Sequence, residues 1–335
     1  MKTEILRSEG AEGKRAVAES IRLLREGFVV ALPTETVYGL AADALNVDAV
    51  LRIFEAKERP RFDPLIVHIP DAGWMERLAL IGESQQQIIT ALTERFWPGP
   101  LTLILPRNPI VPDVVTAGLN TVAVRASAHP VFAEIVAGFG GPLAAPSANR
   151  FGRISPTTAG HVASELGGRI PLIVDGGGTT HGVESTIVAV RGEAIEILRP
   201  GPITREQLAE FGQVRIASPS ERVRAPGQLP SHYAPGTRLV VVDEIAAFTG
   251  ERARCGLLAW NSVPLGEPFA EVRILSPAGD FREAAAKLFG YLRELDRCGL
   301  DLIVAAAVPN ESLGNAIMDR LQRAAGQTAR PQTRR

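Results

Sequence analysis

A stretch of about 26 residues without hydrophobic periodicity, FGQVRIASPSERVRAPGQLPSHYAPG at 211–236, interrupts this chain. Such a stretch is long for a loop inside a compact domain, where connections have a median of about 4–6 residues. Short β-branched runs alternate with amphipathic segments on both sides of it. The 335 residues are therefore predicted to form two α/β domains joined by a linker.

The two blocks differ in their pattern. Before the stretch, the runs FVVALP, PLIVHI, LTLIL, TVAVRA, PLIVDG and STIVAV predict strands of a twisted sheet, with helices at 16–25, 46–58, 84–95, 130–138 and 157–166. After it, RLVVV, GLLAW, VRIL and LIVAAA alternate with helices at 281–297 and 313–325, which predicts a smaller, parallel, Rossmann-like domain. The predicted organisation is a first domain at 1–205, a linker at 206–236, a second domain at 237–328 and a flexible tail at 329–335.

Composition narrows the function classes. The formal net charge is -1, so no global basic field favours nucleic acid, and an anion site must be local. Two cysteines, Cys255 and Cys298, lie far apart without metal-like spacing, which argues against a disulfide scaffold or a zinc site. No signal core and no run of about 18 apolar residues occurs, so we expect a cytoplasmic protein.

The common nucleotide motifs are missing. No G-x-x-x-x-G-K-[ST] occurs, and in DGGGTTHG at 175–182 His181 stands where a dinucleotide fingerprint needs its last glycine. This run is expected to be a tight glycine turn. A phosphate site in this chain would therefore use arginine, lysine and backbone donors.

Two cations follow the helix predicted at 46–58. Lys57 lies seven residues after Val50 and so shares the buried stripe, and Arg59 follows where Pro60 ends the helix. Taken alone, Lys57 reads as a snorkelling lysine that covers apolar surface with its stem. Two cations at a helix end also complement its dipole. The competing hypothesis is a pair that binds an anion.

Other polar residues stand at the ends of apolar runs. Arg125 ends TVAVR, where a guanidinium is costly unless its fork is paired with a carboxylate or phosphate. His68 ends PLIVH, where a lone histidine is more often a packed residue than a catalyst. A turn rich in proline and glycine carries Ser147, Asn149, Ser155 and Thr157, and the alternative there is turns that satisfy their own backbone. Strand edges carry Ser185, Thr186 and Arg199, each of which is ambiguous alone.

Taken together, seven segments between about 30 and 205 resemble the YrdC/Sua5 family in order and spacing. They are LPTETVYGLAADA, IFEAKERPRFDPLIVHI, FWPGPLTLIL, VAVRASAHP, AAPSANRFGRISPT, VESTIV and ILRPGPIT. The linker end HYAP and the segment NESLGNAIMDRLQRAA resemble the long, two-domain Sua5 branch. The resemblance covers nearly the whole chain.

The resemblance implies a YrdC-like α/β domain with a concave anion-binding pocket, followed by a Rossmann-like domain. Members of the family are threonylcarbamoyl-AMP synthases. The implied reaction joins L-threonine, bicarbonate and ATP, with Mg²⁺ bridging the phosphates, into threonylcarbamoyl-AMP and pyrophosphate. A downstream transferase complex then passes the threonylcarbamoyl group to adenosine 37 of tRNAs that read ANN codons, so tRNA is an indirect partner.

Site residues are implied by their positions in the family motifs. Lys57 and Arg59 are the implied catalytic pair, and Arg125 is the implied clamp for the threonine carboxylate. The implied ATP-binding residues are Lys57, Arg59, Asp63, Thr121, Ser147, Asn149, Ser155, Thr157, Arg199 and Tyr233. The implied threonine-binding residues are Thr36, His68, Arg125, Ser147 and Ser185. No metal ligand is implied, and His68 is expected to position substrate rather than act as a base.

The chain departs from the family pattern at some positions. Asp63 stands where members often have asparagine, and Ala189 stands where aspartate is common. The linker segment RAPGQLPSHYAP carries His232 and Tyr233. Because a labile acyl-adenylate would form in the neighbouring domain, we hypothesise that this segment is a lid and that Tyr233 contacts the nucleotide. A plain spacer is the alternative.

Two other functions fit parts of the pattern. An RNA-binding module with a YrdC-like basic concavity is disfavoured by the net charge and by an aromatic content of 5%, because RNA readers combine basic faces with stacking rings. A carbamoyl transferase using carbamoyl phosphate is disfavoured because proteins of that kind add zinc-finger segments, for which this chain has too few cysteines.

Overall fold

The structure is a computed structural model that describes residues 2–217, 225–226, 233–263, 266 and 268–326. His232 and the predicted tail at 329–335 lie outside the described residues. The chain divides into two compact units, Met1–Phe151 with Ser155–Gln228, and Gly152–Ile154 with Leu229–Arg335. Within the described ranges, no helix is long and apolar enough to cross a membrane.

The first unit is built on one large mixed sheet. Its described strands run in the order β1-β8-β2-β3-β7-β4-β6-β5-β9-β10-β11. Their bounds are β1 Glu4–Arg7, β2 Val30–Leu32, β3 Gly39–Asp43, β4 Ile66–His68, β5 Leu101–Pro106, β6 Thr121–Arg125, β7 Leu143–Ala144, β8 Leu172–Asp175, β9 Thr186–Arg191, β10 Ala194–Arg199 and β11 Gln213–Ile216. The predicted twisted-sheet α/β class is confirmed.

Helices flank this sheet. They are α1 Gly13–Arg25, α2 Val47–Lys57, α3 Gly73–Leu78, α4 Glu83–Phe96, α5 Asp113–Thr116, α6 Pro130–Phe139, α7 Ala159–Leu166 and α8 Arg205–Leu208. The main core lies where α2 and α4 bury their apolar stripes, with Val50, Ile53, Leu92 and Phe96 among its members. The five helices expected from hydrophobic periodicity are all present, with ends that differ by a few residues.

Helix α2 sets the position of the two cations that follow it. The Asn46 side chain accepts a hydrogen bond from the Ala49 N–H and so begins the helix. At the other end Glu58 adopts a left-handed conformation (φ 53°), and the Arg59 N–H donates to the Phe54 carbonyl. Lys57 therefore points inward from the last turn, and Arg59 leaves the helix in a new direction.

Strand β3 was not expected from the sequence, which predicted a polar turn in TETVYG and no strand in GLAAD. Its glycine and alanine residues have low β-propensity. Gly39 packs closely against the neighbouring segment of the chain, since a Cβ added at this position would lie 3.3 Å from the Cβ of Ala145. Small residues are thus needed where β3 passes the segment that follows β7.

The second unit has the Rossmann-like pattern that the sequence predicted. Its described strands form a parallel sheet in the order β12-β15-β13-β14. They are β12 Leu239–Val242, β13 Cys255–Ala259, β14 Glu271–Ile274 and β15 Leu302–Ala306, with helices α9 Phe281–Asp296 and α10 Gly314–Ala324. Asp280 caps α9 by accepting from the Glu283 N–H.

Candidate active site

A row of buried polar side chains crosses four neighbouring strands of the first unit. His68 on β4 is registered with Arg125 on β6, and the β5–β6 register places Thr102 opposite Arg125. Thr102 Oγ1 lies 2.7 Å from Ser185 Oγ, just before β9. These four residues are buried, which is unusual for a row of polar groups unless the groups bind one another or a ligand.

An apolar floor continues from this row on the same sheet face. Because side chains alternate along a strand, Ile66 shares its face with His68, and Ala123 shares its face with Arg125. The floor is one buried cluster, and its members are Ile66, Ile104, Ala123, Ile187, Ala189, Leu198 and Ala225. Ala225 comes from the predicted linker, so one described part of that segment packs on this face.

A first polar cluster surrounds Arg125, and we call it the arginine–glutamate cluster (Thr34, Glu35, Thr36, Arg125 and Ser127). Arg125 Nη2 lies 2.6 Å from Glu35 Oε1, and Nη1 donates to Thr36 Oγ1 at 3.0 Å. Ser127 Oγ donates to the other oxygen of Glu35. Thr34 Oγ1 accepts from the N–H groups of Thr36 and Val37, which shapes the turn after β2. The turn and the end of β6 are therefore held together by a buried ion pair.

Protonation states in this cluster follow from its contacts. Burial would raise the pKa of Glu35, but Arg125 and Ser127 outweigh it and lower that pKa to about 2. Burial lowers the pKa of His68 to about 3, and the charge of Arg125 acts in the same direction. At neutral pH Glu35 is therefore ionised and His68 is neutral.

The pKa of His68 predicts a pH dependence of stability. In the unfolded chain a histidine titrates near 6.5, so unfolding takes up a proton below that pH, whereas folded His68 binds one near pH 3. Its contribution to the free energy of unfolding is therefore full above pH 6.5 and falls as the pH decreases toward 3. When the pH is lowered from 7 to 5.5, the free energy of unfolding, measured with urea, should fall in both proteins. We expect the fall to be about 1 kcal/mol smaller in His68→Gln than in the unsubstituted chain. Equal losses in the two proteins would contradict this assignment.

A second cluster is cationic and consists of Lys57, Arg59, Asp63 and Arg199. Lys57 is 1% exposed, and its Nζ donates to the carbonyl oxygens of Ser147 and Asn149. The snorkelling alternative is therefore wrong, because the ammonium is inside the protein. Burial lowers the pKa of Lys57 well below its usual value, and Arg59 adds to the effect.

Asp63 is the carboxylate of the cationic cluster. It is fully buried and lies 2.8 Å from Arg59 Nη2, which also donates to the Pro64 carbonyl. Burial raises the pKa of Asp63, while the charges of Arg59, Lys57 and Arg199 lower it in that order, and the net direction is upward. The aspartate that stands where the family often has asparagine is thus a counter-ion to Arg59.

Arg199 connects the two clusters. Its Nη2 donates to Ser185 Oγ and to the Ser185 carbonyl, both at 3.0 Å, and Ser185 continues the polar row through Thr102. Its Nη1 donates to the carbonyl of Pro226 at 3.3 Å. The described linker residues Ala225 and Pro226 therefore touch both the floor and a cation of this site.

Three other predicted site residues, Ser155, Thr157 and Thr121, are not members of either cluster. Ser155 donates to Glu184, and Thr157 Oγ1 lies 3.2 Å from His161 Nδ1. Thr121 begins β6, so it is about 13 Å along the strand from Arg125, on the same face. The role of Thr121 in ATP binding stays a prediction.

Tyr233 is placed in the second unit. Its ring is 1% exposed, stacks on Phe289 with centroids 5.6 Å apart, and lies under the guanidinium of Arg320 at 5.2 Å. The predicted contact between Tyr233 and a nucleotide stays a prediction. The lid hypothesis concerns residues that for the most part lie outside the described ranges.

The glycine run DGGGTTHG is a turn, as the sequence indicated. It connects β8 to β9 without a helix, and Gly177 and Gly182 have positive φ values of 79° and 69°. The Tyr38 hydroxyl accepts from the Gly176 N–H and donates to the Gly177 carbonyl. The run is therefore fixed by a buried tyrosine.

Sequence reasoning missed Glu35, Thr102, Ser127 and Glu184, although all four are buried in or beside the site. One signal for Glu35 was available, because a buried arginine at the end of β6 requires an acceptor. The sequence contains many aspartates and glutamates, and nothing in it indicates which of them accepts from Arg125. Thr102 looked like an ordinary strand residue within LTLIL.

Comparisons with known proteins agree over both units. The family model Sua5_yciO_yrdC, described as "Telomere recombination", matches residues 22–201. A second model, "Threonylcarbamoyl-AMP synthase, C-terminal domain", matches residues 203–326. The chain is 41% identical to the threonylcarbamoyl-AMP synthase of Pyrococcus abyssi over 90% of its own length and 92% of that protein. It is 42% identical to the Bacillus subtilis threonylcarbamoyl-AMP synthase, with 92% and 93% covered.

Solved structures give the same result. The crystal structure of P. abyssi Sua5 complexed with L-threonine matches with a TM-score of 0.88 and 40% identity, covering 97% of this chain and 98% of that one. Escherichia coli YciO, at 17% identity and a TM-score of 0.50 over 59% of this chain, shares the fold alone. Because both family models match in order and the two relatives align over at least 90% of both chains, this chain belongs to the Sua5/YciO/YrdC family in its two-domain form.

Proposed function

We propose that this chain is a threonylcarbamoyl-AMP synthase that condenses L-threonine, bicarbonate and ATP in the pocket of its first unit. The observation that carries the proposal is the connection from Arg199 of the cationic cluster through Ser185 and Thr102 to the buried polar row that contains Arg125. The cationic cluster suits a polyanion, and the arginine–glutamate cluster suits an amino acid. Arg199, which contacts Ser185, joins them.

The nucleotide lies at the cationic cluster. The charges of Arg59, Lys57 and Arg199 all act on the carboxylate of Asp63, so three cationic side chains meet there. Hydrogen bonds to charged groups contribute roughly 1.5–3 kcal/mol each, so several such contacts offset the repulsion between a tetra-anionic nucleotide and an anionic nucleophile. Lys57 also holds the carbonyls of Ser147 and Asn149, which fixes the loop at the junction.

L-Threonine lies at the arginine–glutamate cluster, with its carboxylate on Arg125 and its side-chain hydroxyl near the hydroxyls of Thr36 and Ser185. The ammonium of threonine releases a proton to water, and the amine then takes up bicarbonate with loss of water. The resulting carbamate attacks the α-phosphorus of ATP as pyrophosphate leaves. The protein forms no covalent bond in this sequence. Its contribution is to position the reactants and to stabilise the charge that moves to pyrophosphate.

His68 does not serve as a general base in this account. A base near neutrality needs a pKa close to the working pH, and burial keeps the pKa of His68 near 3. Its neutral ring lies beside Arg125 and packs against Phe132 with centroids 4.7 Å apart. His68 therefore shapes the threonine end of the pocket.

Mg²⁺ accompanies ATP in this proposal. Among the residues that the structure describes, no group of three or more histidine, cysteine or acidic side chains could hold a metal ion. The cationic cluster offers a single carboxylate, that of Asp63, as a ligand for a metal ion. Such a cluster fits a Mg²⁺ ion that is held mainly by phosphate oxygens and water rather than by protein side chains. When bound, the ion supplies further neutralisation of phosphate charge.

The product is passed on, because an acyl-adenylate is labile in water. A downstream transferase uses it to modify adenosine 37 of tRNAs that read ANN codons, and tRNA is an indirect partner of this chain. Direct RNA binding is disfavoured by the structure of the pocket. Lys57, Arg59 and Arg199 are 1%, 8% and 4% exposed, so they form no basic surface for a polynucleotide backbone.

The proposal predicts pyrophosphate release from ATP that requires both L-threonine and bicarbonate. We expect omission of either to reduce the release rate to background, because the nucleophile is the carbamate. The measurement is a coupled pyrophosphate assay in bicarbonate-depleted buffer, with each substrate restored in turn. Release that continues without threonine would favour a different nucleotide chemistry, including one that uses carbamoyl phosphate.

A further inference from the structure

Arg125 is engaged on all three of its nitrogens before substrate arrives. Nε donates to the Gly99 carbonyl at 3.2 Å, Nη1 to Thr36 at 3.0 Å and Nη2 to Glu35 at 2.6 Å. A guanidinium has five N–H donors, so two remain for a substrate carboxylate. Its orientation is therefore fixed in advance, and Glu35 supplies the one charged partner.

Both carboxylate oxygens of Glu35 are hydrogen-bonded within the cluster. One carboxylate oxygen binds Arg125 and the other accepts from Ser127, and the side chain is 9% exposed. The backbone carbonyl of Glu35 accepts from the His181 N–H, which fixes the residue from the other side. The carboxylate is thus held in place rather than free to leave Arg125 when a ligand enters.

The charges of the two clusters differ as a consequence. In the arginine–glutamate cluster Arg125 and Glu35 cancel, and His68 is neutral. In the cationic cluster Arg59, Lys57 and Arg199 all act on the carboxylate of Asp63, so cations outnumber carboxylates among these four residues. The two arginine-containing ends of the proposed site therefore present different fields, and a polyanion such as ATP is attracted to one of them.

We propose that Glu35 is a specificity-determining residue that neutralises Arg125, so that this end of the site selects an amino-acid zwitterion over carboxylates and phosphates that lack an ammonium. The inference rests on the proposed function, because it concerns how the threonine end is kept free of phosphates. A zwitterion brings a carboxylate for the two remaining N–H donors of Arg125 and an ammonium that is favoured by the nearby carboxylate of Glu35. A ligand with a carboxylate and no ammonium gains the first interaction and is repelled by Glu35.

Isothermal calorimetry without ATP tests this inference, with L-threonine and (R)-3-hydroxybutanoate, which is threonine without its amino group. For the unsubstituted chain we expect L-threonine to bind at least about tenfold more tightly, a difference of ~1.4 kcal/mol. Glu35→Gln keeps the shape of the side chain and removes its charge. In that variant we expect the preference to fall by at least about tenfold.

Two matched variants separate a charge effect from a structural one. Ser127→Ala removes the other hydrogen bond of Glu35 and keeps the charge, so the preference for L-threonine should persist even if both ligands bind more weakly. Glu35→Asp keeps the charge on a shorter side chain and should also retain the preference. A Glu35→Gln protein that folds and retains the full preference would overturn the inference, as would loss of the preference in Ser127→Ala.

A measurement on the unsubstituted chain keeps the inference testable if Glu35→Gln does not fold. Inorganic pyrophosphate is expected to bind the cationic cluster and to leave the dissociation constant of L-threonine within about twofold. Competitive displacement of threonine by pyrophosphate would overturn the inference. Absence of any L-threonine binding would instead contradict the proposed function, so the two failures are distinguishable.

Discussion

Lys57→Met is expected to lower kcat/KM for ATP by at least about 100-fold, the effect typical of removing one preorganised donor from an active site. The ammonium of Lys57 lies between Arg59 and the loop that carries Ser147 and Asn149, and it holds two carbonyls of that loop. Methionine fills the space of the stem without the charge. The measurement is steady-state pyrophosphate release at saturating L-threonine and bicarbonate.

The fold should survive this substitution. Each carbonyl that loses its donor costs about 1–3 kcal/mol, but the variant no longer buries an ammonium, which offsets part of that cost. Lys14→Met is the matched control, because Lys14 is an exposed residue of α1 and should leave the rate unchanged. A Lys57→Met protein that unfolds at the same urea concentration and turns over within about threefold of the unsubstituted chain would remove Lys57 from the site.

Arg125→Met is expected to abolish measurable L-threonine binding and to lower the free energy of unfolding by about 3–5 kcal/mol. The binding loss follows from removing the carboxylate clamp. The stability loss has a different cause, because the carboxylate of Glu35 is left buried without its ion-pair partner. Calorimetry and urea unfolding measure the two effects separately.

A double variant separates these two roles. Arg125→Met combined with Glu35→Gln removes the buried charge as well, so most of the lost stability should return while threonine binding stays absent. Replacement of buried ion pairs by uncharged residues is often neutral or stabilising, which supports this expectation. Recovery of threonine binding in the double variant would contradict the assignment of Arg125 as the clamp.

The sequence predicted those features that depend on local pattern. The N-cap at Asn46, the apolar stripe of α2 and the proline after Arg59 placed Lys57 on the buried stripe at the end of the helix. The sequence favoured an ammonium that reaches solvent, whereas the structure shows that it is buried. The strands that carry His68 and Arg125 were predicted from β-branched runs. What periodicity alone could not provide was the register of β4 with β6, which brings these two residues side by side.

The features that sequence reasoning missed depend on contacts distant in the chain. Glu35 is 90 residues from Arg125, and nothing in TETVYG distinguishes it from a surface glutamate. Strand β3 contains small residues because of its contact with Ala145, and a propensity scale reads the same residues as unfavourable for a strand. The role of Asp63 also needed the structure, since the sequence shows an anion near a cation and not the 2.8 Å ion pair.

We conclude that this chain builds a threonylcarbamoyl group from bicarbonate and threonine on the α-phosphate of ATP. The most direct measurement follows the labelled carbon of ¹³C-bicarbonate by mass spectrometry while pyrophosphate is counted in the same reaction. We predict one labelled carbon in each threonylcarbamoyl-AMP and one pyrophosphate released for each product formed. Pyrophosphate released without a labelled product that contains both threonine and AMP would contradict it.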